Sequence, residues 1–155
     1  MPKRSAGILL YRIRSHAPEV FLVHPGGPFW TKKDLGAWTI PKGEYDNSEA
    51  PLDAARREFT EETGFTADGP FHELGEIRQL SGKIVTAFAC AGDCDPAELV
   101  SNFCKVEWPL HSGRKLEIPE VDRGQWFTLD EALQHIFPAQ RPLLGRLEKL
   151  LEQSR

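Results

Sequence analysis

Several features are scarce in this sequence, and each shortage narrows what the protein can be. Cysteine is rare: Cys90, Cys94 and Cys104 are the only three in 155 residues. An odd number, with no histidine at ligand spacing, argues against a disulfide framework or a zinc knuckle and for reduced thiols in a reducing compartment. Long apolar runs are missing, since no stretch approaches the roughly 20 residues that a membrane-spanning helix needs. The opening MPKRSAGILLYRIR starts like a targeting signal, but Arg12 and Arg14 interrupt its apolar run too early. A cytoplasmic protein without a membrane partner is expected. Basic excess is missing too: 19 Lys and Arg face 23 Asp and Glu, for a formal net charge of -4. A field of that sign repels polyanions, so duplex nucleic acid held by counterion release is not an expected partner. A phosphate chain would need a bound cation or a few well-placed Lys and Arg.

What is present is an ordinary globular composition, 40% hydrophobic and 27% charged. At this length it predicts a single domain, residues 1–155, around one core. No motif specifies whether that domain works as a monomer or a homodimer. Ser5–Arg14 and Glu19–His24 are β-branched or large and apolar, which predicts two strands. The segment HPGGPFWTKKDLGA then reads as a Gly- and Pro-rich surface loop bearing aromatic and cationic groups, followed by a short strand at Trp38–Pro41. Asn47 and Ser48 introduce a helix over Glu49–Thr63, with Pro51 in its first turn and Gly64 as a left-handed cap. Phe71–Leu80 and Lys83–Ala91 form a hairpin about Ser81-Gly82, Phe103–Trp108 adds a strand, and Gly124–Thr128 is the last. Two helices close the chain, Asp130–Phe137 and Arg141–Gln153, the second carrying an apolar stripe of Leu143, Leu144, Leu147, Leu150 and Leu151. This order predicts an α/β fold, a mixed sheet covered by helices on both faces.

The chemistry is carried by the central helix. At about 100° per residue, Leu52, Ala55 and Phe59 share one side, and Glu58, Glu61 and Glu62 cluster on the side adjoining it. A purely structural helix gains nothing from this. Glu58 and Glu62 are like charges at i,i+4, and all three lie in the last turns, where the macrodipole disfavours anions by roughly 0.3–1 kcal/mol each. A divalent cation that prefers oxygen ligands, magnesium first and manganese next, reverses that balance.

The run GEYDNSEAPLDAARREFTEETGF, Gly43 to Phe65, resembles the signature of the Nudix hydrolases: G, five residues, E, seven residues, REU, one residue, EE, one residue, GU, with U apolar. Gly43, Glu49, Arg57, Glu58, Phe59, Glu61, Glu62, Gly64 and Phe65 fill every specified position. With each fixed type at a frequency of roughly one in fifteen, a chance match is on the order of one in a billion per starting position. The resemblance implies the Nudix α/β/α sandwich with a loop-helix-loop catalytic motif, and a pyrophosphohydrolase acting on a nucleoside diphosphate linked to another moiety. It implies Glu58, Glu61 and Glu62 as magnesium ligands, direct or through water, oriented by Arg57 and Glu49. The general base is expected at Glu58 or Glu61, or at Glu120, whose position six residues before Trp126 is similar to that of a loop glutamate in some members.

Substrate readings rest on fewer residues. Lys42, in the Pro41-Lys42-Gly43 step, is similar to a lysine of diadenosine polyphosphate hydrolases and mRNA-decapping members, and together with Gly43 it borders the expected phosphate site. A base needs an aromatic surface, for which Phe29, Trp30 and Trp38 are candidates, Trp38 being equally suited to the core. Lys32, Lys33 and Lys83 are candidate contacts for a long phosphate chain. A dinucleoside polyphosphate or a related nucleoside polyphosphate is the expected substrate. The alternatives are a catalytically silent nucleotide-binding module and, on the same scaffold, a prenyl diphosphate isomerase using Cys90 or Cys104.

Overall fold

The computed structural model describes residues 2–153. Strand β1 (Arg4–Arg14) organises it, because every neighbour in the sheet is placed relative to this strand. Along one edge β1 pairs in parallel with β5 (Ile84–Ala91), from Arg4↔Ile84 to Tyr11↔Ala91. Along the other it pairs antiparallel with β3 (Lys42–Glu44) at Ser5–Gly7 and with β2 (Ala17–Pro25) at Tyr11–Arg14. Strand β4 (Phe71–Arg78) extends the sheet beyond β5, and β8 (Val121–Thr128) beyond β2.

Side chains alternate along a strand, so each strand feeds both faces. Ala6, Ile8 and Leu10 of β1 join Phe21 and Val23 of β2 in one cluster, which α1 (Pro51–Thr63) completes with Ala54, Ala55 and Phe59. Leu9, Val20 and Leu22 point the other way, onto Leu143, Leu144 and Leu147 of α3 (Arg141–Gln153) and Ala132 of α2 (Leu129–His135). A sheet covered on both faces explains why β1 reads as a nearly continuous apolar run. The expected sandwich is what forms. No helix among the described residues is long and apolar enough to cross a membrane.

Besides the strand at Lys42–Glu44, which the sequence reading did not mark, and small shifts at the ends of other elements, local outcomes differ from the sequence reading most clearly in three places. Helix α1 begins at Pro51, two residues later than expected, with Ala50 as an N-cap that offers no side-chain acceptor. Ser48 instead turns back on Asp46, donating its N–H to Oδ1 at 2.8 Å, so this expected cap serves the preceding loop. Residues 38–41 make isolated bridges to Val23 and Ile136 in place of a strand. Pro41 has no N–H to give a ladder, and the buried Gln140 side chain accepts from the Ile40 N–H at 3.1 Å. Finally, β6 (Phe103–Glu107) joins no main sheet: it pairs with β7 (Lys115–Pro119), a strand the sequence reading omitted, as a separate two-stranded ribbon.

Candidate metal and substrate site

Strand β3 presents Gly43 directly to the Glu58 carboxylate of helix α1. A Cβ on Gly43 would overlap the Glu58 carboxylate, which is a local reason for glycine at the start of the box. One residue earlier, the Lys42 backbone N–H donates to Glu62 Oε1 at 3.3 Å. At its other end α1 stops at Gly64, whose left-handed φ of 78° lets its N–H donate to Thr60 O at 2.8 Å. Two further carbonyls of the last turn, which a helix leaves without internal partners, are taken by a later loop: Val100 N–H donates to Thr63 O at 2.9 Å, and Asn102 N–H to Glu61 O at 2.8 Å.

That loop carries the third carboxylate to the helix. Glu120 N–H donates to Asn102 O at 2.9 Å and Asn102 Nδ2 to Glu120 Oε1 at 3.4 Å, so docking residues 100–102 on α1 also positions Glu120. Glu58, Glu62 and Glu120 each present an oxygen within 4.8 Å of the others. Glu58 and Glu62 are both 7% exposed, hence largely stripped of water. Burial pushes the Glu62 carboxyl well above its usual range, helped by the negative charge of Glu120, a hydrogen bond with it, and Glu58. Glu58 is also raised by burial, partly offset by Arg57. Glu61 stands apart from this trio. Its carboxylate lies in solvent against Arg57 Nη1 at 3.3 Å.

Arg57 links the glutamates of the box. Its Nε and Nη2 donate to the two oxygens of Glu49 at 2.9 Å each, and Nη1 donates to Glu58 Oε1 at 2.8 Å. The fork geometry holds Glu58 in one orientation, and the same contacts raise the guanidinium's own pKa and lower that of Glu49. The i,i+4 partner of Arg57 is thus Glu61.

Among the candidate substrate residues, Lys42 is half-buried and its ammonium is lowered by desolvation and by Lys83, against the pull of Glu62 and Glu44. Lys83 pairs with Glu44 at 3.2 Å. Trp38 takes the core role, 1% exposed, with its ring against Phe127 and its indole N–H donating to Asp34; as a stacking surface it is ruled out by burial. Trp30 does reach a cleft of about 500 Å³ that Glu120 also lines, whereas Lys32 is exposed and lines no part of it. Lys33 sits over the Phe29 ring at 3.5 Å. Residues 25–29, Phe29 among them, continue the wall beside Trp30, and the cleft is also lined by Cys104, Val106, Glu107, Trp108 and Leu110 on and after β6 and by Ile118 on β7. Sequence reasoning missed Trp108. The only available signal was the alternation Cys104, Val106, Trp108, which places the first two on one face of β6 and Trp108 just past its end.

A NUDIX domain model matches residues 1–147. The chain belongs to the Nudix family. It is 36% identical over 150 residues to an RNA pyrophosphohydrolase of Bartonella henselae, covering 83% of this chain and 77% of that one. It is 33% identical over 135 residues to an uncharacterised 17.7 kDa protein of Enterobacteria phage T4, covering 81% and 86%. The fold is shared with an Ap4A hydrolase of C. elegans at a TM-score of 0.66 and 22% identity, over 97% of this chain and 98% of that one. It is shared likewise with the Nudix domain of Shewanella oneidensis NrtR in complex with ADP ribose, at a TM-score of 0.67 and 16% identity, over 97% and 89%. The reaction class is that of a Nudix pyrophosphohydrolase.

Proposed function

We propose that this Nudix chain, acting as one domain over residues 1–155, hydrolyses a phosphoanhydride bond of a nucleoside diphosphate linked to another moiety, with magnesium as the resident cation and manganese as its substitute. The preferred substrate is a small dinucleoside polyphosphate or a related nucleoside polyphosphate, met in the cytoplasm. The observation that carries the reading is the convergence of Glu58, Glu62 and Glu120 within 4.8 Å. Carboxylates at that separation, two of them buried, repel one another, and their all-oxygen donor set suits a hard divalent cation. When bound, the cation supplies neutralisation of the phosphate chain and orientation of the attacking water.

The chain's own residues divide the remaining tasks. Arg57, clamped by Glu49, orients Glu58. Glu61, facing solvent beside Arg57, fits a ligand role through water better than direct contact. Glu120, which lines the cleft and also belongs to the carboxylate trio, is placed to take the proton from the nucleophilic water, with Glu58 and Glu61 as the helix alternatives. Lys42 and Lys83 hold phosphate oxygens beside Gly43, with Lys32 an outer contact for a long chain. The base enters the apolar cleft against Trp30 and Trp108.

A second reading, the 5′ phosphates of RNA, is favoured by the RNA pyrophosphohydrolase relative at 36% identity. A panel of dinucleoside polyphosphates, nucleoside triphosphates and triphosphorylated oligonucleotides, with magnesium in ¹⁸O-labelled water, separates the two by mass spectrometry of the products. Nucleotide release is expected only with a divalent cation. Tight binding measured by calorimetry, without release from any compound, would support the silent module in place of an enzyme.

A further inference from the structure

His24 closes the buried stretch of β2 and is itself fully buried, its ring edge-on to Trp38 at 5.1 Å. An apolar side chain would fill that place without stripping an imidazole of water, so what histidine adds is the pair of hydrogen bonds its ring makes. Nε2 lies 2.7 Å from the Lys33 carbonyl oxygen, which can only accept, so Nε2 carries a hydrogen and donates it. Nδ1 lies 3.0 Å from Asp122 Oδ1. Each contact leads to one wall of the cleft. Lys33 ends a turn in which its N–H donates to Trp30 O at 2.9 Å and its ammonium covers the Phe29 ring, so the carbonyl that His24 holds anchors both aromatic residues. Asp122 is the extra residue of a bulge: His24 pairs with Arg123 and Pro25 with Val121, leaving Asp122 opposite no residue of β2. Two residues earlier stands Glu120, whose carbonyl accepts from the Gly26 N–H at 3.0 Å. The Glu120 backbone is thus held directly by Gly26 and, two residues on, by the grip of His24 on Asp122.

We infer that His24 is a positioning residue for the hydrolysis: Nε2 sets the aromatic wall at Trp30, Nδ1 sets Glu120 through Asp122, and one rigid ring keeps the base cleft in register with the carboxylate trio. The inference rests on the proposed roles of Trp30 and Glu120 and adds the residue that couples them. Being fully buried, His24 acts through these neighbours and touches neither substrate nor cation. The physical need is one of tolerance, since a misplacement of about 1 Å at the reacting groups is enough to cost much of the rate. Trp30 and Glu120 lie on segments far apart in the chain, so a shared anchor aligns them better than two independent ones.

The two bonds can be removed one at a time. An asparagine amide can take the place of Nδ1 and a glutamine amide that of Nε2, so His24→Asn keeps the bond to Asp122 and His24→Gln the bond to Lys33. With diadenosine tetraphosphate or a triphosphorylated oligonucleotide, whichever the wild type hydrolyses, His24→Asn should raise KM about tenfold and His24→Gln should lower kcat about tenfold. Asp122→Ala, at an exposed position outside the core, should reproduce the loss in kcat. Two readouts need no turnover. Manganese affinity by calorimetry should weaken in His24→Gln and in Asp122→Ala, and in protein carrying 5-fluorotryptophan the Trp30 fluorine line, assigned with Trp30→Phe, should move in His24→Asn. Changes in kcat and KM of the same proportion in both His24 variants, or wild-type manganese affinity in Asp122→Ala, would overturn the role. Failure of the hydrolase reading would look different: no turnover by the wild type, with the manganese and Trp30 effects still present.

Discussion

Helices α1 and α3 each have 13 residues and flank the same sheet from opposite sides, yet they bury different chemistry. Helix α3 puts Leu143, Leu144 and Leu147 into the core, removing apolar area from water at a gain of about 25 cal/mol per Å². Helix α1 buries Ala54, Ala55 and Phe59 and, on the same length, Glu58 and Glu62. Burying the two glutamates is unfavourable for the fold alone, since it strips carboxylates of water and sets them beside Glu120. The difference separates a helix selected for packing from one selected for a ligand, and it predicts that mutations on the two helices fail in opposite ways.

The sharpest break in that comparison comes from Glu62→Gln. Turnover with magnesium should fall by roughly 10²–10³-fold, while the melting temperature in chelator stays the same or rises, because a neutral amide replaces a buried charge. An equal loss of stability in chelator would mean that α1, like α3, is built for packing. The converse test is Leu147→Ala on α3, which should cost about 2–5 kcal/mol by chemical denaturation and leave kcat near that of the wild type. Arg57→Lys comes next: it keeps the charge but loses the fork to Glu49, and should weaken magnesium affinity by about 10–100-fold, read from the metal dependence of the rate.

The smallest effect is a slope against pH. The folded-state pKa of Glu62 is raised above its ordinary value of 4.5, so between that value and the raised one the folded chain binds more protons than the unfolded chain. This group's contribution to stability therefore falls as pH rises through that window, and is level below it. In chelator, the wild-type melting temperature minus that of Glu62→Gln should decline from pH 5 to pH 7, and added magnesium should offset the decline. A flat difference would mean that Glu62 ionises as an ordinary carboxylate and lacks the burial that distinguishes α1.

Much of this was legible before any coordinates. The alternation along β1 and β2 and the leucine period of α3 declare their elements, because backbone periodicity is local. The box from Gly43 to Phe65 is contiguous and helical, so the mutual placement of Arg57, Glu58 and Glu62 follows from helix geometry alone. Trp38 shows where such reading stops. Its indole suits a stacking surface or a core equally, and only the packing of Phe127 and His24 around it settles the matter. The ribbon of β6 and β7 is another such case, since Lys115–Pro119 has a strand pattern too short to stand out without its partner.

By itself the sequence determined the sandwich, the helix with its carboxylates and the glycines at either end of the box, all of which depend on spacings of a few residues. Tertiary structure alone decided which glutamates meet. Glu61 is nearer to Glu58 in the chain than Glu120 is, yet it faces solvent, while Asn102 docks on the end of α1 and draws Glu120 in from 58 positions beyond Glu62. It also brought Trp108 and Trp30 to the walls of one cleft. The physical reason is that a helix fixes angles among its own side chains, but the carbonyls its last turn leaves unpaired are satisfied by whichever distant segment the fold brings to them.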